Sequence, residues 1–307
     1  MDIAPGELVG GVFRLISIRI LRGAGSLQGT LPDLRARASA YARTRGTPRW
    51  RRLKAGHDGA RLPRSPYAEL PTTSPPEPLP PGRRRLSASE VSSNQRERIL
   101  RAGSAAFVGK GYEASTVADI VASARLTRAV FYEHFHGKQE LFMEIQQVCF
   151  HQLMAISARA FFSAPTWTER VWEGIRAVSD LFAGNPQYAH IGVLESHAAG
   201  SESLRHAHDA MMAFTVFLEE GYRQRPEAER LPALCSEAIA GVLIETVYLA
   251  ARQGHLQRLP EQTPGVVYLA LAPFLGPESA GEFVAGKLRE ASATTPRRRP
   301  AAPSAAA

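Results

Sequence analysis

Between Asn94 and Lys138 the chain gathers side chains suited to binding rather than to making bonds. They are the hydroxyls of Thr116 and Thr127, the guanidinium of Arg128, the phenol of Tyr132, the imidazole of His134 and the ammonium of Lys138. Hydroxyls, helix N-termini and Lys suit phosphate oxygens, and an Arg can hold guanine O6 and N7 through two parallel bonds. No comparable set for catalysis occurs in the sequence. It has no G-x-S-x-G turn, no H-E-x-x-H helix and no glycine-rich phosphate loop, since Gly276 to Gly281 reads G-P-E-S-A-G. Neither an enzyme nor a cofactor is expected. His190, His197, His206 and His208 do not compose a metal site, because His206 and His208 fall on different helix faces with no Cys or carboxylate at ligand spacing. Cys149 and Cys235 are the only cysteines, too few for a disulfide framework and in keeping with a reducing cytoplasm.

Three helices must position these groups. Asn94 and Glu97 can form a capping box, and Ile99, Ala102, Ala106 and Phe107 then recur on one face, with Gly109 and Gly111 around Lys110 as the stop. Thr116 with Asp119 opens a second helix whose apolar stripe is Val117, Ile120, Val121 and Ala124. Only Arg125 and Leu126 precede Thr127, the N-cap of a short third helix that turns Phe131 and Phe135 inward. Two short helices in so tight a turn, braced by a longer one, form a helix-turn-helix, which lays the start of its last helix in the DNA major groove. Residues 91–138 carry 7 basic against 4 acidic side chains, the balance of a surface that meets phosphates.

The run T-V-A-D-I-V-A-S-A-R-L-T-R-A-V-F-Y-E-H-F-H-G-K-Q-E-L-F resembles the DNA-binding domain of TetR-type transcriptional regulators, through the spacing of Thr116, Ile120, Ala124, Thr127, Phe131, Tyr132, Phe135 and Lys138. The resemblance implies that Thr116, Thr127, Tyr132, His134 and Lys138 contact phosphates. It also implies that Arg128, Ala129 and Glu133 face base edges. Arg125 stands where the family usually has Gly, which implies either mild backbone strain or a slightly different turn. Val130 replaces a usual Thr, exchanging a hydroxyl for an apolar contact.

Outside this stretch the charge is uneven: residues 1–90 hold 16 Lys and Arg against 7 Asp and Glu, and residues 91–307 hold 21 against 22. Residues 1–90 are Pro- and Arg-rich, with eight prolines from Pro63 to Gly82, and read as a disordered basic extension, a small separate domain, or sequence ahead of a true start at Val91. The apolar run Leu8 to Leu21 is too short to span a membrane. From residue 139 to 292 the pattern is helical throughout, and 293–307 reads as a disordered tail. The expected fold is therefore all-α: a helix-turn-helix unit over 91–138, then a helical effector-binding and dimerisation domain.

Candidate pocket residues on the helices up to 223 are Phe150, Met154, Trp172, Ile175, Phe182, Tyr188, Met211, Met212, Phe214 and Phe217, a set that suits a small hydrophobic effector. The helices Pro232–Gln253 and Pro264–Leu275 are apolar on more than one side. In the resembled family such a pair forms a four-helix bundle with a second subunit, which implies a homodimer with Gly241, Glu245, Tyr248, Val267 and Leu271 at its interface. The expected function is a cytoplasmic repressor that binds a palindromic double-stranded operator and is released by its effector. Alternatives are an interaction module with a degenerate DNA-binding unit and an activator without an effector.

Overall fold

The computed structural model describes residues 62–68 and 87–294 together with Pro32, and among these residues every regular element is a helix. Helix α1 spans Ala88–Lys110. It begins ahead of the expected Asn94 cap because Ser87 and Glu90 offer the same box. The Ser87 hydroxyl accepts from the Glu90 N–H at 3.2 Å, and the Glu90 carboxylate accepts from the Ser87 N–H at 2.8 Å. Val91 thus lies inside the helix. Gly111, at φ 82°, ends it, with its N–H on the Phe107 carbonyl.

Helix α2 (Val117–Ala124) starts at the Thr116–Asp119 box. Lys110 and Thr116 hold the Asp119 carboxyl down at about 2. Helix α3 (Arg128–His134) starts at Thr127, whose hydroxyl accepts from the Val130 N–H at 3.3 Å. Between them Arg125 takes φ 53°, ψ 47°, the one positive φ of a non-glycine among the described residues. The left-handed region costs an L-residue about 1–2 kcal/mol. Arg98 of α1 braces the strained turn by donating to the carbonyls of Ala124 and Arg125.

Phe107, Phe131, Phe135 and Phe142 form the sealed centre of this unit with Ile99 and Ile120. Phe142 belongs to α4 (Lys138–Phe161). Ile191 and Ala199, from far beyond α4, pack in the same core. The three-helix core is thus completed by residues outside the 91–138 segment expected to hold it.

After α4 come α5 (Trp167–Gly184), capped by Thr166, and α6 (Gln187–Ala189). α6 runs into a π-helical turn, His190–Leu194, where the sequence pattern predicts an ordinary helix. Helix α7 (Ser201–Ala213) tightens into a 3-10 helix over Phe214–Arg223. In that segment Gly221 lets the backbone approach two rings: a Cβ there would lie 2.7 Å from Trp167 and 2.8 Å from Phe274. The short α8 (Pro226–Glu229) leads to α9 (Leu234–Arg252), α10 (Leu259–Leu275) and α11 (Pro277–Thr294). Helix α9 is apolar and long enough to cross a membrane, but 67% of its most apolar window is buried by its neighbours, as in a core helix.

Two expectations need correction. Val267 and Leu271 are 0% exposed within one chain, because α10 packs against both α5 and α11; they have no surface to offer a second subunit. Gly241 is likewise buried inside the chain, while Glu245 and Tyr248 are half-buried. The continuous apolar character of α10 reflects burial on several sides by its own chain.

The second correction concerns the extension. Residues 62–68 are a strap laid on α5. Ser65 donates its N–H to the Asp180 carboxylate at 2.6 Å, Arg176 donates to the Pro63 carbonyl at 3.4 Å, and Ser65 and Ala68 are buried. Leu62 and Tyr67 pack against the helical core on either side. Burial raises the Asp180 carboxyl, against the Ser65 N–H and the Arg176 charge that lower it. The expectations for residues 1–61, 69–86 and 295–307 lie outside the described residues. Replacing Asp180 with Ala leaves the buried Ser65 N–H without its acceptor, an expected cost of about 1–3 kcal/mol. Trypsin should then cut at Arg64 faster than in the wild type, and Asp180→Asn, which keeps an acceptor oxygen, should stay near wild type.

Candidate nucleic-acid interface

Helix α3 turns its start to the open. Arg128, Ala129 and Glu133 are exposed, and Tyr132 is 57% exposed, its ring propped outward edge-on against Phe131 at 5.4 Å. One turn below, Phe131 and Phe135 seal the inner face. Thr116 and Thr127 are exposed at the two caps. Their hydroxyls serve the helices first: Thr116 accepts from the Asp119 N–H and donates to the Asp119 carboxylate at 2.8 Å. His134 is half-buried, with Nε2 3.4 Å from the Gln95 amide oxygen. Most of the expected contact residues therefore share one accessible face around the α2–α3 corner.

Lys138 has another occupation. Its Nζ donates to the carbonyls of Tyr112, Ser115 and Glu113 at 2.8, 3.1 and 3.2 Å, and it sits 4.3 Å over the Tyr112 ring. An ammonium has three protons, so all are used on the α1–α2 turn and none is held out for a phosphate. Nothing in the local sequence around Lys138 signals this, since its partners lie 23 to 26 residues earlier.

The profile described as "Bacterial regulatory proteins, tetR family" matches residues 99–145, which run from α1 into α4. Over these residues the chain carries a TetR-type DNA-binding domain. No curated protein matches its sequence. Among solved structures, the fatty acid degradation regulator FadR from Bacillus halodurans aligns with a TM-score of 0.53 at 18% identity, over 58% of this chain and 94% of that one. FadR from Bacillus subtilis, in complex with stearoyl-CoA, aligns with a TM-score of 0.52 at 20% identity, over 57% and 97%. At these identities the likeness is one of fold, and it spans nearly the whole of both relatives. The matched segment is the DNA-binding part of transcription regulators of that family.

Behind α4 the chain forms a partly open cavity of about 90 Å³. Of the expected lining, Ile175, Phe182, Met211, Phe214 and Phe217 reach it. Trp172 does not; it is sealed into the core beside Phe283. Tyr188 instead donates its hydroxyl to Gln152, and burial pushes that phenol up. Phe150 stands edge-on behind Phe214 at 6.3 Å, and Met154 and Met212 also lie outside the lining. The wall missed by sequence reasoning comes from α9 and α10, including Ile239, Leu243, Val247 and Val266. Their all-round apolar pattern was the available signal, and part of it marks a cavity wall.

Proposed function

We propose that this TetR-family regulator is a cytoplasmic, ligand-released repressor that binds a palindromic operator as a homodimer. The observation that carries the reading is the exposed start of α3, with Arg128 and Ala129 presented on a sealed three-helix unit whose fourth helix also walls an apolar cavity. In a two-fold dimer two such helices enter successive major grooves roughly 34–36 Å apart. The half-buried Glu245 and Tyr248 and the exposed Leu249 make α9 the candidate dimer face. Arg128, Ala129 and Glu133 are the base-edge candidates, and Thr116, Thr127, Tyr132 and His134 the backbone candidates.

The effector is a small hydrophobic ligand. Among the cavity residues only Ser157, Ser179 and Thr246 bring hydroxyls to otherwise apolar walls. Ligand pockets commonly measure roughly 300–1,000 Å³, so an effector must part the side chains that line this smaller cavity. Leu153, Ser157 and Phe161 of α4 are among them. Movement of α4 then favours a conformation with the wrong spacing between recognition helices, and operator affinity falls by the coupling free energy. The stearoyl-CoA held by the Bacillus subtilis fold relative makes long-chain acyl thioesters the first class to screen.

The test is binding of the purified protein to its own upstream intergenic DNA against random DNA at about 150 mM salt, where non-specific contacts are screened. A preference of roughly 1,000-fold or more is expected. Equal, salt-sensitive binding to both would remove the operator from the proposal. Arg128→Ala should cost about 1–3 kcal/mol on the operator and little on random DNA; equal losses on both would contradict a base-reading Arg128.

A further inference from the structure

The peptide of Tyr112 is held at both ends from outside the α1–α2 turn. Lys138 takes its carbonyl and lies over its ring. From the other side Glu195, 83 residues away, accepts the Tyr112 N–H on Oε2 at 2.7 Å. Gly111 at φ 82° bends the chain so that this N–H meets the carboxylate. Three residues further on, the buried Ser115 donates to the Gly111 carbonyl at 2.7 Å, and Thr116 caps α2. The turn gripped by Glu195 thus fixes where the DNA-facing pair of helices begins.

Glu195 owes its place to the π turn. Its own N–H closes that turn on the His190 carbonyl, five residues back, at 2.8 Å. The next residue, Ser196, is buried and anchored to α4, because the Gln146 amide donates to its hydroxyl at 2.9 Å while Ser203 donates to the Gln146 oxygen at 3.3 Å. The same turn faces two cores. Ile191 packs with Ile99, Phe107 and Leu141 in the three-helix unit. Val193 packs in the cluster of Phe182 and Val247, both of which line the cavity. π-Turns are rare and frequent at functional sites, and conversion of this one to a regular helix would rotate Glu195 and Ser196 about the helix axis.

We propose that Glu195 is a positioning residue for DNA binding: the π turn His190–Leu194 carries its carboxylate to the Tyr112 N–H, and through that bond the cavity wall sets the placement of α2 and α3. The inference rests on the DNA-binding role proposed for α3, but its primary test is independent of any operator. In Glu195→Ala, hydrogen exchange across residues 111–116 should accelerate about tenfold or more, the scale of one charge-assisted bond. Glu195→Gln keeps an acceptor oxygen and should restore slow exchange. Glu195→Asp, shorter by one methylene, is read in place of Ala if circular dichroism shows that the Ala variant has not folded.

On DNA the same loss should lower affinity for the upstream fragment about tenfold, with affinity for random DNA within about twofold and Gln again rescuing. Wild-type exchange in the Ala variant, or in the Asp variant where Ala has not folded, would overturn the proposal, as would accelerated exchange that leaves the ratio of specific to random binding unchanged. If the wild type itself fails to discriminate the upstream fragment, the operator reading fails, and unchanged exchange in the variants still overturns the Glu195 link while accelerated exchange supports it.

Discussion

Phe142→Ala is expected to lower the unfolding free energy by about 3–5 kcal/mol, the range for emptying a sealed aromatic site. The ring is 0% exposed and meets Phe107 at 5.3 Å and Tyr112 at 5.2 Å, both edge-on. It is also where α4 enters the core of the three-helix unit, between Leu141 and Ile145 on the same helix. Domains commonly have only about 5–15 kcal/mol in total, so this one deletion consumes a large part of it. Urea unfolding followed by circular dichroism should show a lower midpoint at similar slope. A loss below about 1.5 kcal/mol would mean that neighbouring rings collapse into the space, a lesser effect than this crowded junction suggests. Because α4 also lines the cavity, the variant should weaken DNA binding in any fraction that remains folded.

The α1–α3 unit was legible because its signals are local. Thr116 with Asp119, Thr127 ahead of an apolar turn, and Phe131 with Phe135 each act over three or four residues, which is the range that periodicity and capping patterns report. Even the strained Arg125 was visible as a residue standing where glycine is usual, and it adopts the left-handed conformation that the position demands. The start of α1 was misplaced because two capping boxes, Ser87–Glu90 and Asn94–Glu97, lie close together in the chain and only the first is used.

The features that escaped are long-range. The Ser65–Asp180 bond joins residues 115 apart, and a Pro-rich composition hid a segment that packs through a single N–H, two apolar side chains and a carbonyl. The apolar faces of α9 and α10 were assigned to a partner when the chain itself covers α10 and the cavity takes part of α9. Apolar periodicity tells that a face is covered; it does not tell by what. For the same reason five of the ten pocket candidates reach the cavity, while the other five fill layers around it.

Lys138→Ala separates a phosphate contact from a structural tie. If the ammonium neutralised a phosphate, its removal would flatten the salt dependence of binding by about one unit and leave folding untouched. The geometry points the other way: three carbonyls of one turn converge on Nζ, and the Tyr112 ring lies beneath it. Bonds to a charged donor contribute about 1.5–3 kcal/mol each when sheltered. Lys138 is only half-buried, so solvent screening brings the expected total for the three to about 3 kcal/mol. The salt slope should stay as in the wild type, since no phosphate loses its counter-charge. Specific affinity should nonetheless fall, because the freed turn lets α2 and α3 settle away from their place on α4. Lys138→Gln, which can supply two N–H donors but no charge, should recover part of the stability. Unchanged unfolding together with a flattened salt slope would return Lys138 to the DNA surface and leave Glu195 as the hydrogen-bonding tie on Tyr112 from outside the turn.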